Sequence, residues 1–257
     1  MDSNIQEAAR LLIAARKAKT PADAVDTAGL GCAPNTLDDA YRIQQAVVSE
    51  FGDVGAWKTS APSAEAVPIR APIFAADVYP NQAEVPDGTF RLIGIEAEIA
   101  FRLGCDLPAR DTAYSPSDII ASVDAMLPVL EIVDSRLSDF TAAGAFWKLA
   151  DNQVNGGLVI GAPVTDWQNI DPQLQPVVLK IDGEIAAEAI GGNPAGSLVD
   201  LIARLANDCG DHCGGLQAGQ IITTGSMTGI IFVSPGARIV AEFDGLGDVG
   251  VTMMASA

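Results

Sequence analysis

Basic residues are scarce in this chain. Fifteen lysines and arginines stand against 33 aspartates and glutamates, a formal net charge of −18. Such a surface repels nucleic-acid backbones and anionic membranes, so neither is expected as a partner. Histidine is scarcer still, with His212 alone. One histidine excludes an H-E-x-x-H zinc site. No G-x-S-x-G elbow accompanies it, which speaks against Ser-His or Cys-His nucleophilic catalysis. Neither G-x-G-x-x-G nor G-x-x-x-x-G-K-[ST] occurs, so nucleotide binding has no support. Acid–base work falls to carboxylates, lysine, tyrosine or metal-bound water.

Cysteine is sparse as well. Cys32, Cys105, Cys209 and Cys213 are too few in 257 residues for a disulfide scaffold. Cys209, His212 and Cys213 lie close together, but a C-x3-C spacing without a second pair is a poor zinc motif. Reduced thiols are expected. No apolar run approaches the roughly 18 residues of a membrane span. Met1-Asp2-Ser3-Asn4 lacks the basic and apolar regions of a signal peptide. A cytoplasmic location is the expectation.

What is present is apolar mass: 49% of residues, with 25 glycines and 15 prolines. That composition supports a sizeable core, and the length permits one large domain or two small ones. The N-terminal part reads as helical. Ile5, Ala8, Ala9, Leu12 and Ile13 recur at helical spacing, and Pro21 is expected to stop that run. A second helix is predicted from Thr36, whose hydroxyl can cap it, with Asp39 three residues on. Leu37, Ala40, Tyr41, Gln44, Val47, Val48 and Phe51 mark its face, and Gly52 ends it.

Short β-like stretches separated by Gly, Pro and Asp follow. They are residues 55–60, 92–103, 129–134, 157–160, 177–181, 220–224, 238–243 and 249–253. Helices are predicted over residues 117–126 and 197–207. There is no internal repeat and no low-complexity stretch. The whole reads as α+β: a helical N-terminal segment on a mostly antiparallel β body.

Residues 93–101, Ile-Gly-Ile-Glu-Ala-Glu-Ile-Ala-Phe, carry the strongest chemical signal. In a strand Ile95, Ala97 and Ile99 point one way, so Glu96 and Glu98 share the other face. Two carboxylates about 7 Å apart along a strand repel unless something lies between them. A solvated strand face is the ordinary alternative, but this strand is unusually apolar. A third acid, Glu131, interrupts the apolar run Met126–Val133, where a lone buried carboxylate is expensive unless paired or metal-bound. Three such carboxylates describe a hard oxygen site suited to Mg²⁺ or Mn²⁺. Spacing alone leaves open whether the three meet. A bound cation would also supply the local positive charge that an acidic chain needs for an acidic metabolite.

Several segments, in order, resemble the 2-keto-4-pentenoate hydratase / 4-oxalocrotonate decarboxylase branch of the fumarylacetoacetate hydrolase-like superfamily. They are Leu37–Gln44, Gly55-Ala56-Trp57-Lys58, Gly94–Phe101, Glu131-Ile132-Val133-Asp134-Ser135-Arg136, Ala150-Asp151-Asn152 with Gly156–Gly161, and Thr224–Gly229 with Pro235-Gly236 and Leu246-Gly247. The resemblance implies a mixed β-roll with an N-terminal helical segment (residues 1–53) before a metal-binding β-roll catalytic domain (residues 54–257). It implies Mg²⁺ or Mn²⁺ held by Glu96, Glu98 and Glu131. It makes Lys58 catalytic and substrate-binding, with a pKa lowered by the cation, and puts Thr224, Gly225 and Ser226 along the substrate. Asp77 and Tyr79 are further acid–base candidates, and Asp134 with Arg136 is expected to form a structural ion pair.

The implied reaction is hydration of a 2-hydroxy-2,4-dienoate to a 4-hydroxy-2-keto acid in aromatic-compound catabolism. The alternatives are 4-oxalocrotonate-type decarboxylation, acylpyruvate-type C–C hydrolysis, or a catalytically silent metal-binding partner subunit. Hydrolysis is disfavoured because it calls for a His–Glu pair in an early segment, where this chain has no histidine. A small 2-keto or 2-hydroxydienoic acid substrate, a homo-oligomer and a partner pathway enzyme are implied as partners. The chain departs from the family pattern at Lys58-Thr59-Ser60-Ala61-Pro62-Ser63, at Ala75 and at Gln153-Val154-Asn155.

Overall fold

The structure is a computed structural model describing residues 3–20 and 24–256. Pro21, the expected helix stop, and the starting Met1-Asp2 lie outside the described residues. The chain opens with α1 (Ser3–Ala18) and α2 (Leu37–Phe51), then β1 (Val54–Ser60), β2 (Ile69–Phe74), β3 (Val78–Pro80), β4 (Ala83–Val85) and β5 (Gly94–Leu103). Next come α3 (Pro116–Ser122), β6 (Val123–Val133), α4 (Ala145–Ala150), β7 (Asn155–Ile160), β8 (Pro176–Ile181) and β9 (Glu184–Ile190). The last elements are α5 (Leu198–Cys209), β10 (Ile221–Thr223), β11 (Ile231–Phe232), β12 (Arg238–Phe243) and β13 (Gly247–Met253).

Two mixed sheets organise these elements. An eight-stranded sheet runs β2-β1-β10-β5-β6-β7-β3, with β11 also pairing β5, and a five-stranded sheet runs β4-β13-β12-β8-β9. Most pairings are antiparallel; β1–β10, β3–β7 and β4–β13 are parallel. One apolar cluster joins both sheets to the N-terminal helices, from Ile5 and Leu12 through Val47 and Ile95 to Val249 and Met253. Among the described residues no helix is long and apolar enough to cross a membrane.

Local chemistry explains the ends of α2. Thr36 Oγ1 accepts from the Asp39 amide at 3.1 Å, and the Asp39 carboxylate accepts from the Thr36 amide at 3.1 Å. The box satisfies donors that a helix start leaves free. Gly52 closes the helix at φ +95°, where a side chain would be strained. On the buried face of α2, Gln44 Nε2 donates to the carbonyls of Arg70 and Leu149, tying the helix to β2 and α4.

The expected strands are present with shifted ends, and β6 is the largest revision. It starts at Val123, so the predicted helix over 117–126 stops at Ser122. Val123, Ala125, Leu127 and Val129 alternate with Asp124, Met126 and Pro128, which is also a plausible helical surface over so short a window. Pairing with β5 from Leu103↔Val123 to Gly94↔Val133 decides the matter. Strands β2, β3, β4, β9 and β11 and helix α4 were not predicted. β3, β4 and β11 have two or three residues and β2 contains Pro72, while β9 is a largely exposed strand defined by its pairing with β8.

The expected Asp134–Arg136 ion pair is not formed. Arg136 instead pairs with Asp151, through Nε to Oδ1, and its other nitrogens donate to the carbonyls of Asn155 and Asp151. Asp134 Oδ1 accepts from the amides of Leu92 and Ser135 at 2.8 Å each. Both residues follow the end of β6 at Val133, and each is held by its own set of partners. Both members of the Arg136–Asp151 pair are buried. Asp151→Ala would leave a buried guanidinium uncompensated, so unfolding in urea should show a loss of about 3–5 kcal/mol. A loss below about 1 kcal/mol would contradict this account.

Candidate metal centre

The register of the central sheet assembles the acids. Glu96 on β5 lies directly opposite Glu131 on β6, and Glu98 lies opposite Val129. Antiparallel partners share a face, so Glu96 and Glu131 are direct cross-strand neighbours, an unfavourable like-charge arrangement unless compensated. One carboxylate oxygen from each of Glu96, Glu98 and Glu131 falls within 4.8 Å of the other two. Among the described residues no other three His, Cys, Asp or Glu side chains meet in this way. The opposite face of β5, with Ile95, Ala97, Ile99 and Phe101, enters the main core. The acid-bearing face adjoins a smaller core of Ala56, Ile73, Ala100, Leu127, Val129 and Leu158. Both faces are covered, so the solvated-strand alternative fails: Glu98 and Glu131 have no exposed surface.

Lys58 enters from β1, two strands away. Lys58 Nζ donates to Glu131 Oε1 at 2.8 Å and lies 3.6 Å from Glu96 Oε2. It also reaches the Gln153 carbonyl at 3.5 Å. Burial by itself would lower the lysine pKa. The charges of Glu131, Glu96 and Glu98 outweigh it and hold the ammonium above its ordinary value. The lowered value implied by the family resemblance requires a cation's charge to offset those acids. Burial raises the Glu98 carboxyl well above the usual range, and the neighbouring Glu131 and Glu96 add to the shift. Burial also raises Glu96, against the pull of Lys58.

The hydrogen-bond census leaves deficits in this region. Glu98 Oε2 accepts from the Gly225 amide at 2.9 Å, and Asn155 Nδ2 donates to Glu131 Oε1 at 3.0 Å. Glu98 Oε1 and Glu131 Oε2 are buried with no hydrogen-bond partner, and the buried Ser226 hydroxyl lies beside Glu96. An orphaned buried carboxylate oxygen is costly. Three converging hard oxygen donors with unfilled lone pairs fit a divalent cation such as Mg²⁺ or Mn²⁺.

The remaining sequence candidates divide. Gly225 and Ser226 border the acids, Gly225 through its amide. The Thr224 hydroxyl is committed to the Ile99 carbonyl at 2.8 Å, and its own carbonyl accepts from Asn193. Asp77 lies elsewhere, with Oδ2 facing Arg16 at 3.3 Å, and Tyr79 packs edge-on against Phe90. His212 is wedged between Arg70 and the Tyr41 carbonyl, and burial pushes its pKa down to about 4. Cys209 and Cys213 are buried free thiols.

Sequence reasoning missed the turn before β7. Asn152, Gln153 and Val154 hold φ of +51°, +51° and +55° in succession. A β-branched residue in that region is strained. The turn aims the Gln153 carbonyl at Lys58 and delivers Asn155 to Glu131. No glycine marks it, so the sequence conceals it; Asn152 alone is a weak hint.

Glu98 binds its proton more tightly in the folded chain than in the unfolded one. Its contribution to stability is therefore lost as pH rises above the ordinary carboxylate value of about 4.3. In metal-stripped protein, Glu98→Gln should raise the thermal midpoint near neutral pH, with the gain vanishing as pH falls toward about 4. An unchanged or lower midpoint at neutral pH would contradict the burial argument.

Comparison with known proteins follows the same outline. The profile of the fumarylacetoacetate (FAA) hydrolase C-terminal family matches residues 47–254. A 4-oxalocrotonate decarboxylase from Pseudomonas putida is 30% identical over 235 residues, 83% of this chain and 84% of the relative. A 2-hydroxyhexa-2,4-dienoate hydratase from Comamonas testosteroni is 27% identical over 263 residues, 94% of each chain. The solved structure of the Pseudomonas putida G7 4-oxalocrotonate decarboxylase, complexed with magnesium and adipate, superposes with a TM-score of 0.82. It covers 96% of this chain and 97% of that one at 23% identity, a likeness of fold. The chain belongs to the fumarylacetoacetate hydrolase C-terminal family.

Proposed function

We propose that this protein is a divalent-metal-dependent lyase that hydrates a 2-hydroxy-2,4-dienoate to a 4-hydroxy-2-keto acid. One observation carries the reading: Lys58 Nζ lies 2.8 Å from Glu131 Oε1, within a buried group of three carboxylates. Glu96, Glu98 and Glu131 would hold Mg²⁺ or Mn²⁺. When bound, the ion would supply Lewis acidity that stabilises negative charge on a substrate oxygen. The relatives named for hydration of dienoates and for 4-oxalocrotonate decarboxylation support the substrate class, a small 2-keto or 2-hydroxydienoic acid.

The chain's own residues have distinct parts in this reading. Lys58 holds a proton at Nζ beside the acids and delivers it to a substrate carbon during ketonisation, as the 2-hydroxyl gives up its own proton. The Gly225 amide fixes Glu98, while Ser226 offers a buried hydroxyl beside Glu96 to a substrate oxygen. Thr224 acts through position, holding the turn against β5. Asn155 keeps Glu131 in place opposite Glu96. The site's seclusion excludes bulk water except where water is the reactant.

Decarboxylation of a 4-oxalocrotonate-type acid is the second reading, favoured by the 30% identity to a decarboxylase over most of both chains. The two share the Lys58 proton and differ in the bond made or broken. Hydration forms a C–O bond from water, and decarboxylation breaks a C–C bond and releases carbon dioxide. We further propose that the protein works as a homo-oligomer in association with a pathway partner, as the family resemblance implies.

The test is an assay with 2-hydroxypenta-2,4-dienoate and Mg²⁺, following the dienol absorbance, with EDTA as control. Metal-dependent conversion to a 4-hydroxy-2-keto acid supports hydration. Turnover of 4-oxalocrotonate alone, with carbon dioxide released, supports the second reading. Lys58→Ala should retain Mg²⁺ in calorimetric titration and lose about 10²–10⁴-fold in turnover. Unchanged turnover in that variant would remove Lys58 from the mechanism.

A further inference from the structure

A separate cavity of about 220 Å³ lies where α1, the end of β2, residues 89–91 and residues 134–136 meet. None of Glu96, Glu98, Glu131, Lys58, Thr224, Gly225 or Ser226 lines it. The register of β1 and β2 sets the two regions apart. Lys58 pairs with Ala71 and Val54 pairs with Phe74, a wall of the cavity. Three residues of strand rise by about 10 Å. The faces differ too, since Phe74 packs in the main core and Ile73 in the small one.

The cavity's charge opposes that of the chain. Arg16, Lys19, Arg91 and Arg136 line it, against Asp77 and Asp134. Arg136 is neutralised by Asp151, and Asp134 Oδ1 is taken up by backbone amides. The remainder is Arg16, Lys19 and Arg91 against Asp77 and what is left of Asp134, a surplus of about one positive charge in a protein of net −18.

Arg16 is the telling group. Its side chain is 13% exposed, yet its one ion pair among the described residues is a long 3.3 Å contact from NH1 to Asp77. The guanidinium otherwise lies over the rings of Phe74 and Phe51, at 4.9 and 5.8 Å. Burial, with Arg136 nearby, pushes its pKa down to about 10. Arg91 donates Nε and NH2 to the carbonyls of Ser135 and Leu137, and among the described residues its NH1 makes no hydrogen bond. Two guanidinium groups with unused donors therefore face a space walled by Phe51, Phe74 and Phe90.

We propose that this cavity is a second binding site, for a small organic monocarboxylate with an apolar chain. The Arg16 guanidinium offers Nε and NH2 as a fork suited to paired N–H···O contacts with the carboxylate, and Arg91 adds its free NH1. The phenyl walls take the chain, and one negative charge balances the surplus. The apolar lining favours an organic acid over inorganic phosphate. The site is independent of the metal centre and of the reaction proposed there.

The test is calorimetric titration of the full chain with hexanoate, with and without Mg²⁺. Saturable single-site binding is expected in both conditions. Arg16→Gln and Arg91→Gln should each weaken it at least about tenfold, or about 1.4 kcal/mol. Glu98→Gln should leave it unchanged, and hexanol should not bind. Thermal melts establish that each variant is folded; if Arg16→Gln is not, Arg91→Gln decides. The proposal is overturned by an absence of saturable binding at millimolar hexanoate. It is equally overturned by binding that follows Mg²⁺ or Glu98 instead of the arginines, by equal binding of hexanol, or by tighter binding of inorganic phosphate.

Discussion

Three carboxylates held in a water-poor space beside one ammonium group set the terms for the rest of this protein. Glu96, Glu98 and Glu131 carry more negative charge than Lys58 can offset, and two of their oxygens have no partner. Sheet pairing forces the acids together, because Glu96 and Glu131 are register partners on adjacent strands. Folding alone would not favour such a group; charge burial of this kind is a cost that fits a cation-binding role.

Much of the surrounding structure reads as support for that arrangement. Asp151 anchors Arg136, Arg136 holds the Asn155 carbonyl, and Asn155 donates to Glu131. The strained turn at residues 152–154 is pinned at both ends of this chain of contacts. The Val154 carbonyl accepts from Asp134, and the Val154 amide donates to Asp151. Backbone strain of this sort persists only where neighbours over-determine it. On the other side, Asn193 and Ile99 hold Thr224 so that the next amide, that of Gly225, meets Glu98.

Electrostatics also separates the two binding regions. One collects acids and suits a cation; the other collects arginines and suits an anion. The cavity lies beyond the end of β2, and none of the three acids or Lys58 lines it. In an acidic protein, local surpluses of either sign stand out against the background, and burial strengthens both.

Much of this was legible in the residues. Alternation around Glu96 and Glu98 put both acids on one strand face. The apolar run around Glu131 marked that acid as buried. Thr36 with Asp39 and the stripes of α1 and α2 gave the helices, since caps and periodicity are local properties. Arg136's partner, the left-handed turn at 152–154, the small strands β3, β4 and β11, and the cavity beside Arg16 were hidden. The sequence by itself determined the apolar faces of α1 and α2, the cap of α2 and the shared strand face of Glu96 and Glu98, because these depend on neighbours a few positions away. Only the tertiary structure decided that Lys58 meets Glu131 across 73 positions and that Arg16 meets Asp77 across 61. Strand register brings such residues together, and register is settled by pairing between distant segments.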